Sequence, residues 1–112
     1  MKEAPDTPTI RGDAARSRYE LWLQGRLVGV ADYRREGEVV SFTHTEVEQE
    51  LRGRGLAAQL VEFALSSVRA EGLKALPQCW YVRDHIAAHP EHLDLVPQER
   101  RAEFGLAAAA ER

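Results

Sequence analysis

The residues with the clearest chemical potential form a short basic loop, Arg52-Gly53-Arg54-Gly55, which follows an apolar run ending at Val47 and precedes an amphipathic pattern. The first peptide N–H groups of a helix lack intrahelical partners and lie at the positive end of its dipole, so they favour a phosphate ligand. The glycines let the backbone approach closely, and the arginines can pair with phosphate charge. The loop therefore predicts a site for an anionic cofactor.

Two other phosphate-binding motifs fit this loop less well. It lacks the Lys-Ser or Lys-Thr pair of a P-loop. The later glycine and acidic residue of a dinucleotide-binding motif are not convincingly placed either. A different phosphate ligand is therefore the less favoured interpretation.

Three histidines form a second group with chemical potential. His85, His89 and His92 are spaced four and three residues apart, and on one helix such spacing gathers metal ligands on a single face. Pro90 interrupts that geometry. We therefore expect solvated or capping histidines and no metal site.

Composition limits the class of protein. The chain has 112 residues, 44% of them hydrophobic, which is enough for one compact domain with a small core. Its 15 basic and 18 acidic residues give a net charge of -3, so we expect neither nucleic acid nor a membrane as a partner. There is no apolar run of membrane-spanning length and no signal-peptide pattern, which favours a cytoplasmic protein. Cys79 is the only cysteine, so no intramolecular disulfide can form.

Period-two patterns predict three antiparallel strands before the loop. Residues 1–16 show no clear period and are expected to be a flexible N-terminal segment, with a ragged first element as the alternative. Alternating apolar residues on both sides of Gln24-Gly25 predict a hairpin, and a second turn is expected at 35–37. Residues 38–47 then supply the third strand. By its two-residue period, one face carries Val40, Phe42, His44 and Glu46.

Beyond the loop, the pattern changes to that of a helix followed by a parallel strand. Apolar residues recur every three or four positions from about Arg54 to Ala70, and Gly72 ends that helix. Residues 73–79 read as a short strand, which a crossover of this length places parallel to the third strand. A parallel pair of strands can splay apart. The sequence therefore predicts an α/β (α+β) fold, with an antiparallel meander, a strand-helix-strand crossover and helices on the sheet faces.

The C-terminal third is less regular. Residues 81–89 predict a short helix with Val82 and Ile86 facing inward and Pro90 as its terminator. An extended piece is expected over 92–96 and a short helix over 98–104. The single domain would then span 17–104, and 105–112 would be a frayed tail.

At this point the motifs resemble a known family. The run Arg52-Gly53-Arg54-Gly55-Leu56-Ala57 between strand and helix is similar to the acyl-coenzyme A binding signature of the GNAT superfamily of N-acetyltransferases. In that signature an Arg or Gln is followed three positions later by Gly and five positions later by Gly or Ala. More narrowly, HTEV at 44–47, ELRGRGLA at 50–57, HPEHLDLV at 89–96 and Cys79 after a proline-containing strand resemble the small GNAT proteins with a single cysteine. Several spaced motifs agree over roughly residues 17–97, which makes the resemblance specific.

The resemblance implies that acetyl-coenzyme A or coenzyme A is the cofactor. Its phosphates would bind the glycine loop, its pantetheine arm would lie along the third strand, and a backbone N–H near 45–47 would contact the thioester carbonyl. The expected cofactor contacts are Thr45, Glu46, Val47, Arg52, Gly53, Arg54, Gly55, Leu56 and Ala57.

Acetyl transfer to an amine needs a base, an acid and alignment. Glu46, at the end of the third strand, is the candidate for the base or for a group that orients the acceptor. The alternative interpretation is a solvated acid at the end of a strand. His44 is a candidate proton relay, and its alternative is a histidine packed or hydrogen-bonded at the sheet surface. Cys79 is a candidate nucleophile in a two-step transfer. The alternative interpretation is that it is a small buried hydrophobic residue. Tyr81 is a candidate acid for the departing thiolate or a packing residue.

One departure from larger GNAT proteins matters. They place two helices between their first two strands, whereas only the turn at Gln24-Gly25 separates the candidates in this chain. Those helices help form the acceptor groove, so no substrate carries over. Two hypotheses follow: an acetyl-coenzyme A-dependent N-acetyltransferase with an unidentified small-molecule or protein amine acceptor, or a non-catalytic coenzyme A binding module with a sensing or interaction role. A monomer or weak homodimer is expected.

Overall fold

The computed structural model describes residues 7–106 and contains one five-stranded mixed sheet with strand order β1-β2-β3-β4-β5. The pairs β1–β2, β2–β3 and β3–β4 are antiparallel, and the pair β4–β5 is parallel. The strands and helices are β1 (Thr9–Asp13), β2 (Arg18–Leu23), β3 (Arg26–Glu36), β4 (Val39–Val47), α1 (Leu56–Ala70), β5 (Lys74–Pro77) and α2 (Trp80–Ala88). Short 3-10 helices lie at Ala14–Arg16, Gln49–Leu51, Pro90–Leu95 and Gln98–Phe104. The predicted fold class is confirmed.

The hairpin predicted at Gln24-Gly25 joins β2 to β3. Both turn residues have positive φ angles, 54° for Gln24 and 75° for Gly25. A two-residue loop with left-handed backbone at both positions matches the right-handed twist of the flanking strands. The local chemistry of this turn therefore sets the register of the meander.

The ordered sheet begins earlier than the sequence indicated. Residues 1–16 were expected to be a flexible segment, but Thr9–Asp13 forms β1 and pairs antiparallel with β2. Ile10 lies opposite Leu21, on the face that α1 covers, so the strand adds to the core. At the other end Leu106 is buried, which shortens the tail expected from 105 onward. Residues 1–6 and 107–112 lie outside the described part of the chain.

A β-bulge changes which side chains share a face of β4. Tyr33 pairs with Phe42 and Asp32 pairs with His44, so Thr43 is an extra residue on β4. The bulge shifts the alternation by one position. His44 and Glu46 therefore lie on the face opposite Phe42, where both side chains are exposed to solvent. The prediction that Val40, Phe42, His44 and Glu46 share one face is wrong for the two polar residues.

Helix α1 covers one face of the sheet with the predicted apolar stripe. Its buried residues recur at three- and four-residue intervals: Leu56, Leu60, Val61, Ala64, Leu65 and Val68. They pack against the buried face of β2 to β4, where Tyr19 contacts the ring of Phe63 with centroids 6.1 Å apart. Gly72, with a φ of 72°, follows the helix end as predicted.

The segment after α2 differs from the expected extended piece. Residues 92–96 were predicted to be extended, but Pro90–Leu95 is a 3-10 helix that begins at proline, a residue suited to the first position of a helix. Arg69 of α1 holds this turn with two hydrogen bonds of 2.8 Å to the Asp94 carboxylate. The predicted short helix at Gln98–Phe104 is present as a 3-10 helix. None of the helices formed by residues 7–106 is long and apolar enough to cross a membrane.

The sheet face opposite α1 carries a buried acid, Glu20, whose side chain is only 5% exposed. Hydrogen bonds from Trp22 and Arg18, both 2.9 Å, lower the pKa of Glu20, with the Trp22 indole the larger cause. A lowered carboxyl pKa stabilises the fold above the usual glutamate pKa, and this contribution is lost as pH falls through the lowered value.

We expect Glu20→Gln to reduce the free energy of unfolding by about 1.5 kcal/mol at pH 7, because charge-assisted hydrogen bonds are lost. The difference from the parent should shrink as pH falls below the ordinary glutamate value of 4.5. Urea denaturation at several pH values measures it. Glu103→Gln, which removes an exposed ion pair with Arg100, is the control and should change stability little. A difference that is independent of pH would contradict the assigned charge of Glu20.

Candidate functional site

A cleft of about 490 Å³ opens where the end of β4 meets the start of both helices. Three segments form it: the last residues of β4, the glycine loop with the first turn of α1, and the first turn of α2. Its lining residues are Thr45, Glu46, Val47, Leu51, Arg52, Gly53, Gly55, Leu56, Ala57, Trp80 and Tyr81. Of the nine residues expected to contact a cofactor, all but Arg54 line this cleft, and Arg54 lies within the same loop.

The cleft exists because β4 extends beyond the end of its parallel neighbour β5. The β4–β5 ladder runs only from Val39–Lys74 to Phe42–Pro77, whereas β4 continues to Val47. Just past the ladder, the Cys79 N–H donates to the Phe42 carbonyl at 2.8 Å, and the chain then turns into α2. The strands therefore separate as the sequence predicted, which opens the edge of β4 beside the helix termini.

The hydrogen-bond pattern of β4 shows which backbone groups face this opening. The Glu48 N–H donates to the Val28 carbonyl of β3 at 2.9 Å. Every second residue of an antiparallel strand forms a hydrogen-bonded pair with its neighbour, so residues 46 and 44 also bond to β3. Thr45 and Val47 occupy the alternate positions. Their N–H and C=O groups consequently point toward the separated edge, where an extended ligand can add like another strand.

The glycine loop is shaped for an anion at the start of α1. Gly53 and Gly55 have φ angles of 85° and 77°, in the left-handed region that favours glycine, and neither would place a Cβ within 4 Å of another group. Gly55 is the N-cap of α1, and the first turn of that helix contains no acidic residue. Arg52 donates from Nε to the Val47 carbonyl at 3.4 Å, so its side chain ties the loop to β4. Unsatisfied helix N–H groups and positive charge thus converge on one wall.

Glu46 and His44 lie on the sheet face away from α1. Their side chains contact each other, with 3.1 Å between His44 Nε2 and Glu46 Oε1. Glu46 lines the main cleft and also a shallow depression of about 210 Å³ on the neighbouring strand. The pair therefore stands beside the opening on the side opposite the glycine loop, in contact with solvent.

Cys79 is placed behind the wall of the cleft. It is 7% exposed, and its thiol donates to Thr45 Oγ1 at 3.4 Å. Among the described residues that line the cleft are Thr45 and the two residues after Cys79, but not Cys79 itself. The thiol therefore contacts a residue of the cleft wall without being part of that wall.

The two aromatic residues that open α2 form the remaining wall. Tyr81 is partly buried against the core, while Trp80 is 64% exposed. Their rings meet edge to face with centroids 5.7 Å apart. Tyr81 was among the site residues predicted from the sequence, but Trp80 was not. Its position directly after the cysteine was the available signal.

A second cluster lies away from the cleft, between α1, α2 and the following 3-10 helix. Glu62 accepts hydrogen bonds of 2.9 Å from Nε2 of His85 and from Nε2 of His92. These contacts, with that from His85 the larger cause, lower the pKa of Glu62. Pro90 was expected to keep the histidines apart, but the chain folds back so that the rings of His85 and His92 are 5.9 Å apart. Glu62 was missed because its partners are distant in sequence.

Comparisons with known proteins agree on one family. The sequence model of the GCN5-related N-acetyl-transferase family matches residues 18–95. Protein NATD1 of Gallus gallus is 35% identical over 92 residues, which covers 75% of this chain and 83% of that protein. Protein NATD1 of Homo sapiens is 34% identical over 84 residues, covering 72% of this chain and 74% of that protein.

Two solved structures are distantly similar. The ribosomal-protein-S18-alanine N-acetyltransferase from Escherichia coli has a TM-score of 0.49 and 16% identity, covering 51% of this chain. An aminoglycoside acetyltransferase, meta-AAC0020, from an uncultured soil metagenomic sample has a TM-score of 0.47 and 14% identity, covering 71% of this chain. This chain spans 37% and 56% of the lengths of those two proteins.

Proposed function

Because this chain belongs to the GCN5-related N-acetyltransferase family, we propose that it binds acetyl-coenzyme A in the cleft and transfers the acetyl group to an amine. The acetyl donor is a substrate here, and coenzyme A is the product that leaves. The acceptor is a small-molecule or protein amine, approached through the opening beside Glu46.

One observation carries this proposal: an open strand edge and an anion-binding helix start lie side by side in the same cleft. The edge at Thr45 and Val47 offers hydrogen bonds to the amides of a pantetheine arm. The loop at Gly53 and Gly55 offers N–H groups and the helix dipole to a pyrophosphate. A ligand with an extended amide chain joined to a pyrophosphate matches both features together.

The residues of the cleft account for each step of acetyl transfer. The N–H of Val47 or Thr45 donates to the thioester carbonyl oxygen and stabilises the negative charge that develops there. The amine nitrogen forms a bond to the carbonyl carbon, and its proton passes to Glu46, directly or through His44. As the carbon–sulfur bond breaks, the Tyr81 hydroxyl supplies a proton to the departing thiolate. The amide and coenzyme A are then both neutral at the reacting atoms, and proton exchange with water returns Glu46 to its carboxylate and Tyr81 to its hydroxyl.

The groups proposed to bind the donor and the acceptor lie on opposite faces of the sheet. The glycine loop, α1 and α2 lie on the side where the donor's phosphates would bind, whereas Glu46 and His44 project from the other face. The donor and acceptor can therefore enter from different sides and meet at the gap beside Thr45. Such an arrangement favours direct transfer, because neither substrate must leave before the other binds.

Direct transfer predicts that Cys79→Ala keeps activity. The thiol contacts Thr45 but is not among the residues that line the cleft, so kcat/KM should fall by less than about threefold. If Cys79 were an obligatory nucleophile, the loss would exceed about a thousandfold. Steady-state kinetics measure the difference, and intact-mass spectrometry of the parent mixed with acetyl-coenzyme A alone looks for an acetylated protein. An acetyl-enzyme that forms and decays at the rate of turnover would contradict direct transfer.

The proposed function itself is tested in two stages. Isothermal titration calorimetry with acetyl-coenzyme A should show saturable one-to-one binding, and free coenzyme A should compete for it. Thiol release is then measured with a panel of amines that includes a polyamine, a lysine peptide and an aminoglycoside. Amine-dependent thiol release would support the enzyme. A folded protein that does not bind acetyl-coenzyme A would overturn the proposal.

A second candidate function is a coenzyme A binding module without catalysis. The observation that favours it is the exposure of Glu46 and His44, whose side chains are 66% and 56% exposed on an open sheet face. Only the two-residue turn at Gln24-Gly25 joins β2 to β3, so the described chain provides no helices there to enclose an acceptor. Saturable binding without turnover on the amine panel would favour this candidate.

A further inference from the structure

Glu62, His85 and His92 converge from three separate elements. Glu62 is on α1, His85 is on α2, and His92 is on the 3-10 helix Pro90–Leu95. One ligand atom from each side chain lies within 4.8 Å of the other two. Glu62 is six residues beyond Leu56, so the cluster is about 9 Å along α1 from the start of that helix at the cleft. The proposed acetyl transfer uses none of these three residues.

The cluster combines fixed donors with an open side. His85 and His92 are 8% and 5% exposed, so packing holds both rings in place. The Glu62 side chain is 47% exposed, which leaves the third donor accessible from solvent. His89 stacks on His85 with ring centroids 4.2 Å apart and contacts the His85 carbonyl through Nδ1 at 2.9 Å. The donors are thus already gathered, and an ion can reach them.

We propose that Glu62, His85 and His92 form a binding site for a divalent first-row transition metal, with Zn²⁺ as the best fit. Two imidazole nitrogens and one carboxylate oxygen are ligands that zinc accepts, and a solvent-facing fourth position suits a water molecule. Tetrahedral zinc needs its ligand atoms about 3.3 Å apart. The two 2.9 Å contacts with Glu62 would widen slightly, and the two histidine nitrogens, which lie within 4.8 Å of each other, would adjust to the same spacing. Mg²⁺ and Ca²⁺ prefer all-oxygen ligands and are poor candidates.

The affinity of the cluster for zinc depends on where the histidine protons go when the metal binds. Each Nε2 that shares a proton with Glu62 must present its lone pair to the metal, so that proton moves to Nδ1 or is released. Nδ1 of His92 is buried and has no hydrogen-bond partner in residues 7–106. A proton placed there lacks an acceptor, which weakens metal binding. We therefore expect a dissociation constant nearer micromolar than nanomolar.

A bound ion would join three elements that otherwise meet through side-chain packing and hydrogen bonds. Helix α2 carries Trp80 and Tyr81 at its start, and the metal would fix its other end against α1. Because the ion binds the folded state, the melting temperature should rise with metal concentration. The site is a structural clamp, outside the transfer chemistry.

The test uses the metal-free full chain and ZnSO₄, with CoCl₂ as a spectroscopic probe. Calorimetry should give one zinc per chain, and bound Co²⁺ should show visible bands typical of tetrahedral coordination without a thiolate charge-transfer band. Glu62→Gln keeps the size of the side chain and a hydrogen-bond acceptor. It should weaken zinc binding at least about tenfold, the lower bound found even for outer-shell partners. His92→Gln should do the same by removing a different donor.

A second histidine–carboxylate pair, formed by His44 and Glu46, offers a matched control. The double variant His44→Gln with Glu46→Gln removes an exposed pair at 3.1 Å and should leave zinc binding unchanged. Circular dichroism confirms that each variant is folded. Glu62→Gln and His92→Gln are separate single variants, so the test needs only one of them to fold. Zinc binding that persists in a folded Glu62→Gln or His92→Gln protein would overturn the site. So would loss of binding in the control, or no saturable binding by the parent.

Discussion

Gly55→Glu should abolish acetyl-coenzyme A binding while leaving the protein folded. A Cβ at Gly55 would have no atom within 4 Å, so the new side chain fits, and its carboxylate would stand at the N-terminus of α1. A carboxylate about 4 Å from one phosphate charge costs about 4 kcal/mol at an effective dielectric constant of about 20, which corresponds to more than a hundredfold in affinity. Calorimetric titration should therefore show at least a hundredfold weaker binding.

Two controls separate charge at the site from other effects of the substitution. Gly55→Gln has the same size and the same backbone strain, about 1–2 kcal/mol for a left-handed residue, but no charge, so it should bind more tightly than Gly55→Glu. Gly37→Glu adds the same charge at another open glycine of positive φ, 63°, in the turn between β3 and β4. It should bind like the parent. Equal binding by Gly55→Glu and Gly37→Glu would contradict the assignment of the phosphate site.

Tyr81→Phe should lower kcat by about a hundredfold and leave KM for acetyl-coenzyme A within about threefold. The ring would keep its packing against the core and its edge contact with Trp80, while the hydroxyl that protonates the thiolate is lost. General acid catalysis typically contributes a hundredfold or more. The measurement is steady-state kinetics of thiol release with the amine that gives the fastest turnover in the panel.

A matched tyrosine variant and the separate effects on kcat and KM distinguish an acid from a packing residue. Tyr33→Phe is the matched control, because Tyr33 belongs to the aromatic cluster with Tyr19 and Phe42 and lines neither cavity. Its kinetics should match those of the parent. A Tyr81→Phe protein with parental kcat, or one whose KM rises while kcat is unchanged, would reject the acid role.

The bulge at Thr43 shows where pattern reasoning failed. A strict two-residue period predicted one face for Val40, Phe42, His44 and Glu46, yet the extra residue turns His44 and Glu46 to the other side. The signal was present in the sequence, since the buried residue Val47 stands at an odd offset from Phe42. Local propensity did not reveal it, because a bulge is fixed by the register with the partner strand.

The sequence by itself determined the features that depend on neighbouring residues. The Gln24-Gly25 hairpin follows from turn chemistry, α1 follows from its apolar stripe, and the glycine loop marks the start of that helix. These features are local, because backbone sterics and periodicity act over one or two turns of chain. The mixed sheet followed from the order of those elements and a crossover of that length.

Only the tertiary structure decided which distant side chains meet. Glu62 lies 23 residues from His85 and 30 from His92, and Cys79 lies 34 residues from the Thr45 hydroxyl that accepts its thiol hydrogen bond. Such contacts depend on how α1 and α2 pack beside β4, which no local pattern encodes. The sequence contained the residues of both clusters, and packing of the helices on the sheet placed the cysteine behind the cleft and brought the acid to the two histidines.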